Sequence, residues 1–393
     1  MSILTEAQAM KNTLVEYRRC IHQHAETESN LPVTRAFVME KLTEMGYEPK
    51  EIGGGITAIA GGKKPGKTFL IRGDMDALPI AEENDLEYKS QTGNMHACGH
   101  DIHTASMLGA AKLLKLHEDE IEGSVKLMFQ PAEEVMEGAR EMINAGILEN
   151  PKVDAAMMIH VAPAVPMPAG TTVFVGTGSY AASDWFKITV QGKGAHGAAA
   201  FEGVDPINVL AHIHTALQAI NAREVAAKEI LSLTVGEIHS GSTSNVLPDT
   251  GYMSGTIRTL NEDVREFVRN RLKKISEGIA KTFRAEAKVE FPRGCPSMKV
   301  DDELEEKISG YTKEMLTDKM VIVETAGSGG MGSEDFALVA ERVPSICVAL
   351  AAGSPADGYT HPLHHPMIKF DENALPYGAA IYANAAIRFL KGK

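Results

Sequence analysis

The chain has 393 residues, 44% of them hydrophobic and 23% charged, with a formal net charge of −13. That length exceeds one ordinary core and points to two domains, while the acidic balance, with no Lys/Arg run to neutralise phosphates, excludes nucleic acid as a partner. The four cysteines, Cys20, Cys98, Cys295 and Cys347, stand far apart in no paired spacing, the opening MSILTEAQAM shows no basic then apolar leader pattern, and no stretch approaches a membrane span, so a cytoplasmic protein with reduced thiols and no membrane partner is expected.

Residues 4–24 place Ala7, Met10, Leu14, Tyr17 and Ile21 at helical spacing, and the stretch after Pro32 repeats this with Val38, Leu42 and Met45 before a capping Gly46. Two short strands follow, Ile56–Ala60 and Thr68–Arg72, the second running into Asp74 and Asp76 at its C-terminal end, the edge where open αβ sheets place their chemistry. Next comes Met95-His96-Ala97-Cys98-Gly99-His100-Asp101-Ile102-His103. Three imidazoles, a thiol and a carboxylate within nine residues are the inventory of a transition-metal site, whereas packing asks for none of them. Asp101 is expected to cap a helix from Ile102 to about Leu116.

The strand Ser124–Gln130 ends at Glu133-Glu134, adjacent carboxylates whose repulsion needs a cation or a shared proton. A helix over Glu137–Ala145 and a buried strand, Ala155–Val161, follow; His160 near its end is either a satisfied core histidine or a ligand. From Asp184 to Phe291 the order changes to strand (Trp185–Gln191), helix (Pro206–Arg223), strands (Ile230–Ile238 and Tyr252–Thr259), helix (Glu262–Phe283) and strand (Ala287–Phe291). This βαββαβ order predicts a ferredoxin-like α+β domain over 181–296, with Gly- and Pro-rich hinges, inside an α/β domain made of 1–180 and 297–393. The α/β pattern resumes with a helix near Glu303–Leu316, then the run Ser328 to Phe336, where Gly332 and its neighbours suit close backbone approach to a ligand. A buried strand, Ser345–Ala351, leads to the second histidine cluster, His361, His364 and His365, and an amphipathic helix, Glu372–Leu390, closes the chain.

A mostly parallel sheet flanked by helices gathers strand C-termini whatever their separation in sequence, so Cys98/His100, Glu133/Glu134, His160 and His361/His364/His365 can converge. The donors suffice for two divalent ions, with one glutamate of the pair left to handle protons, and hydrolysis is the expected chemistry.

The strings RGDMDALP, MHACGHDIHTA, FQPAEE, GKGAH, TSNVLPD, GTIRT and LHHP followed four residues later by DE run in order along nearly the whole chain. Together they resemble the metal-dependent aminoacylase superfamily, and within it the branch of bacterial hippurate hydrolases, N-acyl-amino-acid amidohydrolases and plant auxin-conjugate hydrolases. The resemblance implies a fold like that of dinuclear zinc exopeptidases with an inserted lid and dimerisation domain. It also implies two ions per subunit (Zn, Mn, Co or Ni): Cys98 bridging, His100 and His160 on one ion, Glu134 and His364 on the other. Glu133 is then the general base, Asp76 the acid that orients the site, and Asp74 stands where related carboxypeptidases carry a ligand histidine. His196 in GKGAH matches a histidine that reaches the partner subunit's site in a homodimer or larger oligomer, and Asn245 and Arg258 match polar lid residues that hold a small substrate. The implied reaction is cleavage of an N-acyl amino acid to a carboxylate and a free amino acid, with a dipeptidase or carboxypeptidase of the same superfamily, or a non-catalytic metal-binding protein, as alternatives. Two departures, HQHAETESNLP near the first helix and GAHGAAAFEGVDP after His196, border the expected acyl pocket.

Overall fold

The computed structural model describes residues 2–316, 320–324 and 330–392; Ser328 and Gly329 of the glycine-rich run lie outside them. The chain opens with helices α1 (Ile3–Ala9), α2 (Lys11–Gln23) and α3 (Pro32–Glu44), followed by strands β1 (Lys50–Ile52), β2 (Gly55–Gly61) and β3 (Thr68–Asp74). Then come α4 (His100–Leu116), β4 (Ser124–Gln130), α5 (Gly138–Asn144), β5 (Ala155–Ala162) and β6 (Thr172–Val175). A second unit spans Gly178–Met298, together with a short stretch ending at Glu334. It contains β7 (Ala182–Gln191), β8 (Ala195–His196), α6 (Pro206–Ala219), β9 (Leu231–Ser240), β10 (Val246–Leu247), β11 (Thr250–Thr259), α7 (Glu262–Thr282) and β12 (Glu286–Cys295). The first unit is completed by α8 (Asp302–Met315), β13 (Val321–Glu324), α9 (Ala337–Ala340), β14 (Ser345–Ala351) and α10 (Ala374–Lys391).

In the first unit eight strands form one sheet in the order β1-β2-β4-β3-β5-β14-β6-β13. Its centre, β4-β3-β5-β14, is parallel. These strands are covered on both faces, which is why TFLIRGD, SVKLMFQ, AAMMIHVA and SICVALA read as continuous apolar runs. The consequence for chemistry is positional: β3 lies between β4 and β5, so Asp74, Gln130 and His160 end neighbouring strands at one edge. Helix α4 is apolar nearly all round and packs against α2 and α10 in the core.

Two local expectations are corrected. The single helix over residues 4–24 is broken at Met10 (φ −90°, ψ 2°), and the change of direction lets α1 pack on α10 while α2 packs on α4. Helix α4 begins at His100 rather than Ile102, with Gly99 as its left-handed N-cap (φ 88°). Asp101 is therefore inside the first turn. Its carboxylate reaches the Ile102 amide (3.0 Å) but is principally held by buried Arg18 (2.6 Å) and His22 (2.8 Å).

The second unit is a four-stranded antiparallel sheet in the order β12-β7-β11-β9, with α6 and α7 packed on it. The βαββαβ succession and this strand order are those of a ferredoxin-like sandwich. Its core alternates out of the strands, with Phe186, Ile188, Val190, Met253 and Ile257 meeting Val209, Ile213, Leu217, Val268 and Leu272 from the helices.

Candidate metal centre

Gly99 is the pivot of the central motif. Its positive φ turns the chain from the Cys98 loop into α4, and a Cβ there would lie 2.4 Å from Val161 Cγ2. The turn directs His100 inward: Nδ1 donates to the Asp76 carbonyl (2.8 Å), which fixes the tautomer and leaves Nε2 facing the site. His160 is held likewise, with Nδ1 donating to the Val161 carbonyl (2.8 Å) and Nε2 lying 3.4 Å from Cys98 Sγ.

Glu133 and Glu134 are oriented by one carboxylate. Asp76 accepts the Glu133 amide on Oδ1 (3.1 Å) and the Glu134 amide on Oδ2 (3.2 Å). Ala132 (φ 54°) and Met136 (φ 58°) flank the pair in left-handed backbone, as does His364 (φ 65°) within its own loop. Such conformations cost about 1–2 kcal/mol for a residue with a Cβ and mark sites where the fold overrides local preference. His364 Nε2 comes within 3.6 Å of Glu134 Oε2.

Two overlapping groups result. The donor atoms of Cys98, His100 and His160 lie within 4.8 Å of one another, and so do those of Cys98, Glu134 and His364, with the Cys98 sulfur common to both. Glu133 joins His100 and Glu134 in a further group, its Oε2 4.0 Å from His100 Nε2. His361 and His365 instead stack on each other (4.1 Å between centroids, 14° between planes) and enter none of these groups.

The donors fit divalent cations on a criterion independent of spacing. Among the described residues, His100 Nε2 and Glu134 Oε1 are buried polar atoms with no hydrogen-bond partner, an arrangement folded proteins avoid unless something else satisfies the atoms. The electrostatics agree. Burial, reinforced by the Glu134 charge, pushes the Cys98 thiol well above its ordinary range. Burial also raises Glu134 to about 7 and lowers His160 to about 3. Burial opposes charge on His100 as well, but Asp74, Cys98 and Asp76 together outweigh it and raise that imidazole. A cation among these groups would favour the thiolate, the carboxylate and the unprotonated imidazoles together.

A polar floor beneath the ligands escapes sequence inspection. Arg72, fully buried in β3, donates to Asp74 Oδ2 (2.7 Å), Gln130 Oε1 (2.9 Å) and Asp335 Oδ1 (3.2 Å). Asp335 also accepts from Gln130 Nε2 (2.7 Å) and the Ala139 amide (2.9 Å). The one available signal was a charged residue inside an otherwise apolar strand.

The remaining candidates belong to the second unit. His196 pairs with Val246 in the β8–β10 ladder, and the Gly197 amide donates to the Asn245 carbonyl (2.8 Å), so His196 and Asn245 stand side by side. His196 Nδ1 accepts the Ala198 amide (3.1 Å). Arg258 Nη1 donates to the Met331 carbonyl (3.2 Å) and to Ser333 Oγ, and the Gly332 carbonyl accepts the Ala181 amide (2.7 Å), which brings Arg258 to the end of the glycine-rich run.

A thiol, imidazoles and a carboxylate in two triads that share an atom, with a second carboxylate alongside, define a candidate dinuclear metal centre of the hydrolase type. Residues 70–388 match peptidase family M20/M25/M40, and the chain belongs to that family. It is 37% identical over 386 residues to the N-acetyl-L-cysteine deacetylase of Bacillus subtilis, covering 97% of this chain and 89% of that one. It is 35% identical over 390 residues to thermostable carboxypeptidase 2 of Saccharolobus solfataricus, covering 98% and 97%. The crystal structure of Bacillus subtilis YXEP, a dinuclear metal-binding peptidase of the M20 family, superposes with a TM-score of 0.78 at 32% identity, covering 98% and 99%. The protein is accordingly a hydrolase with amidohydrolase and metallopeptidase relatives. Among the described residues no helix is long and apolar enough to cross a membrane.

Proposed function

We propose that this hydrolase cleaves the amide bond of N-acyl amino acids, releasing a carboxylate and a free amino acid. The observation that carries the reading is the division of labour open to the Glu133–Glu134 pair. Both backbones are clamped by Asp76, Glu134 carries a buried oxygen that no hydrogen bond satisfies among the described residues and that suits a cation, and Glu133 lies beside His100 without being needed to complete either triad.

In this mechanism Cys98, His100 and His160 would hold one divalent ion (Zn, Mn, Co or Ni), and Cys98, Glu134 and His364 would hold the other. When bound, such a pair supplies Lewis acidity that acidifies water and polarises an amide carbonyl. Glu133 accepts the proton of the attacking water on its carboxylate and returns it to the nitrogen of the leaving amino acid, so that the C–N bond breaks with a neutral amine. Asp76 keeps both glutamate backbones in place during the exchange. On the second unit, Arg258 provides the fork for a substrate carboxylate, with the Gly332 backbone beside it; beyond the other end of β11, Asn245 holds the substrate next to His196, which donates to the developing oxyanion. We assign the His196–Asn245 pair to the partner's site, within a homodimer formed through the second unit, and place the reaction in the cytoplasm, where thiols stay reduced.

Replacing Glu133 by Gln tests the reading. The variant keeps its metal content and loses turnover of hippurate and N-acetyl amino acids by at least about 100-fold; wild-type turnover would remove Glu133 from the base role. The carboxypeptidase likeness supports a second reading, peptide hydrolysis. A panel of N-acyl amino acids against unblocked dipeptides separates the two, because the second requires acceptance of a free amine.

A further inference from the structure

We propose that Asp74 and His103 form a positioning pair that holds the metal ligands His100 and His160 in register without touching metal themselves. The inference rests on the reading of Cys98, His100 and His160 as the ligands of one ion.

His103 lies one turn beyond His100 on α4, on the same helix face. Its ring stacks on that of His100 (5.3 Å between centroids, 29° between planes) and meets that of His160 edge-on (4.8 Å, 68°). It is a wedge in contact with both ligand rings. Both its nitrogens are engaged: Nδ1 faces Asp74 Oδ1 at 2.6 Å, and Nε2 accepts the Val161 amide at 2.9 Å. An amide N–H can only donate, so Nε2 is bare and the ring proton sits on Nδ1, pointed at Asp74. That tautomer leaves no lone pair for a cation, although the donors of Asp74, His100 and His103 also lie within 4.8 Å of one another.

The two hydrogen bonds reach the two ligands by separate routes. The Val161 amide held by His103 belongs to the residue whose carbonyl fixes His160 Nδ1, so the end of β5 is gripped at both peptide groups of that residue. Asp74 meanwhile anchors the start of α4 twice, through its carboxylate to His103 and through its carbonyl to Thr104 Oγ1 (2.8 Å). Its other carboxylate oxygen is bonded to Arg72 and lies 3.5 Å from His100 Nε2, where a fixed negative charge favours any positive charge gathered at that nitrogen.

The test is a cobalt titration of the metal-stripped protein, followed by the visible ligand-field and thiolate-to-cobalt absorption. Wild type takes two ions. His103→Leu removes both hydrogen bonds and is expected to weaken the ion of the Cys98–His100–His160 group by about 10–100-fold while the Cys98–Glu134–His364 ion is kept. Asp74→Asn, which keeps an acceptor for His103 and loses the charge, is expected to weaken the same ion by about tenfold. His103→Gln, able to accept from the Val161 amide, recovers part of the affinity lost in His103→Leu. A merely structural role would lower the unfolding midpoint of these variants and leave the cobalt affinities and spectrum of the folded fraction unchanged; that result overturns the proposal. If His103→Leu fails to fold, wild-type binding of both ions by His103→Gln and Asp74→Asn overturns it equally. If wild type itself binds fewer than two ions, the ligand assignment fails, and not the pairing of Asp74 with His103.

Discussion

Cys98 Sγ stands 3.4 Å from His160 Nε2, across a separation of 62 residues, and both side chains are buried. The thiol comes from the loop before α4 and the imidazole from the end of β5, so the contact joins the entry to a core helix to the centre of the sheet. Because the same sulfur also lies within reach of Glu134 and His364, its removal should be felt by both ligand groups. Cys98→Ala is expected to lower the bound-ion count below that of wild type by elemental analysis. Unchanged stoichiometry would count against a shared thiolate.

Asp76 spends both carboxylate oxygens on the amides of Glu133 and Glu134. An asparagine there turns an NH2 toward one of those N–H groups, leaving it without an acceptor in a buried place. The expected loss of stability is about 1–3 kcal/mol, with a fall in kcat at least as large as tenfold because the proton-handling glutamate loses its alignment. Urea unfolding and steady-state kinetics on the same preparation measure the two effects.

Gly99→Ala forces a Cβ into a residue at φ 88°, 2.4 Å from Val161 Cγ2 and 3.0 Å from the Phe370 ring. The backbone conformation alone costs about 1–2 kcal/mol, and relief of the clash must move either β5 or the segment carrying Cys98 and His100. Reduced stability together with weaker metal binding is expected. A variant with wild-type metal affinity would show that the turn tolerates the change by shifting Phe370 and Val161 alone.

His22 lies between two carboxylates, Nδ1 2.8 Å from Asp101 and Nε2 3.1 Å from Glu82. Burial opposes its charge, but the hydrogen bonds to Asp101 and Glu82 prevail and raise its pKa. The folded value exceeds the unfolded one of about 6.5, so the stabilisation is full below that pH and is lost as pH rises through the raised value. At the acid end, burial raises Glu82, yet His22, the Ser90 amide and Asn84 together lower its pKa, so its share disappears as pH falls through that lowered value. The stability gap between wild type and His22→Asn should therefore narrow from pH 6 toward pH 9. Unfolding midpoints across that range check the sign, and a gap that widens with pH would refute it.

The candidate ligands were legible because their residue types are rare neighbours: a thiol and imidazoles in MHACGHDIH and paired acids in QPAEE have no packing rationale. The parallel centre of the sheet was legible from runs such as AAMMIHV, and the second unit from its element order. What local sequence could not carry was adjacency. Nothing in TFLIRGD announces that Arg72 meets Gln130 and Asp335 from two other parts of the chain, nor that His103 is tied off by the Val161 amide while His100 Nε2, three residues earlier, has no hydrogen-bond partner among the described residues. The helix start was misplaced for a related reason. Asp101 has the chemistry of an N-cap, but Arg18 and His22 claim its carboxylate, and Gly99 takes the cap position by virtue of its backbone.

The place of β14 beside β5 has a consequence for biosynthesis. The ribosome delivers the whole of the second unit before it delivers Ser345–Ala351, so during translation β5 waits as an unpaired sheet edge while well over a hundred residues emerge and fold. His364 comes later still. A nascent chain therefore presents Cys98, His100, Glu134 and His160 long before His364, so on the proposed ligand assignment the Cys98–Glu134–His364 group is completed only at the end of synthesis.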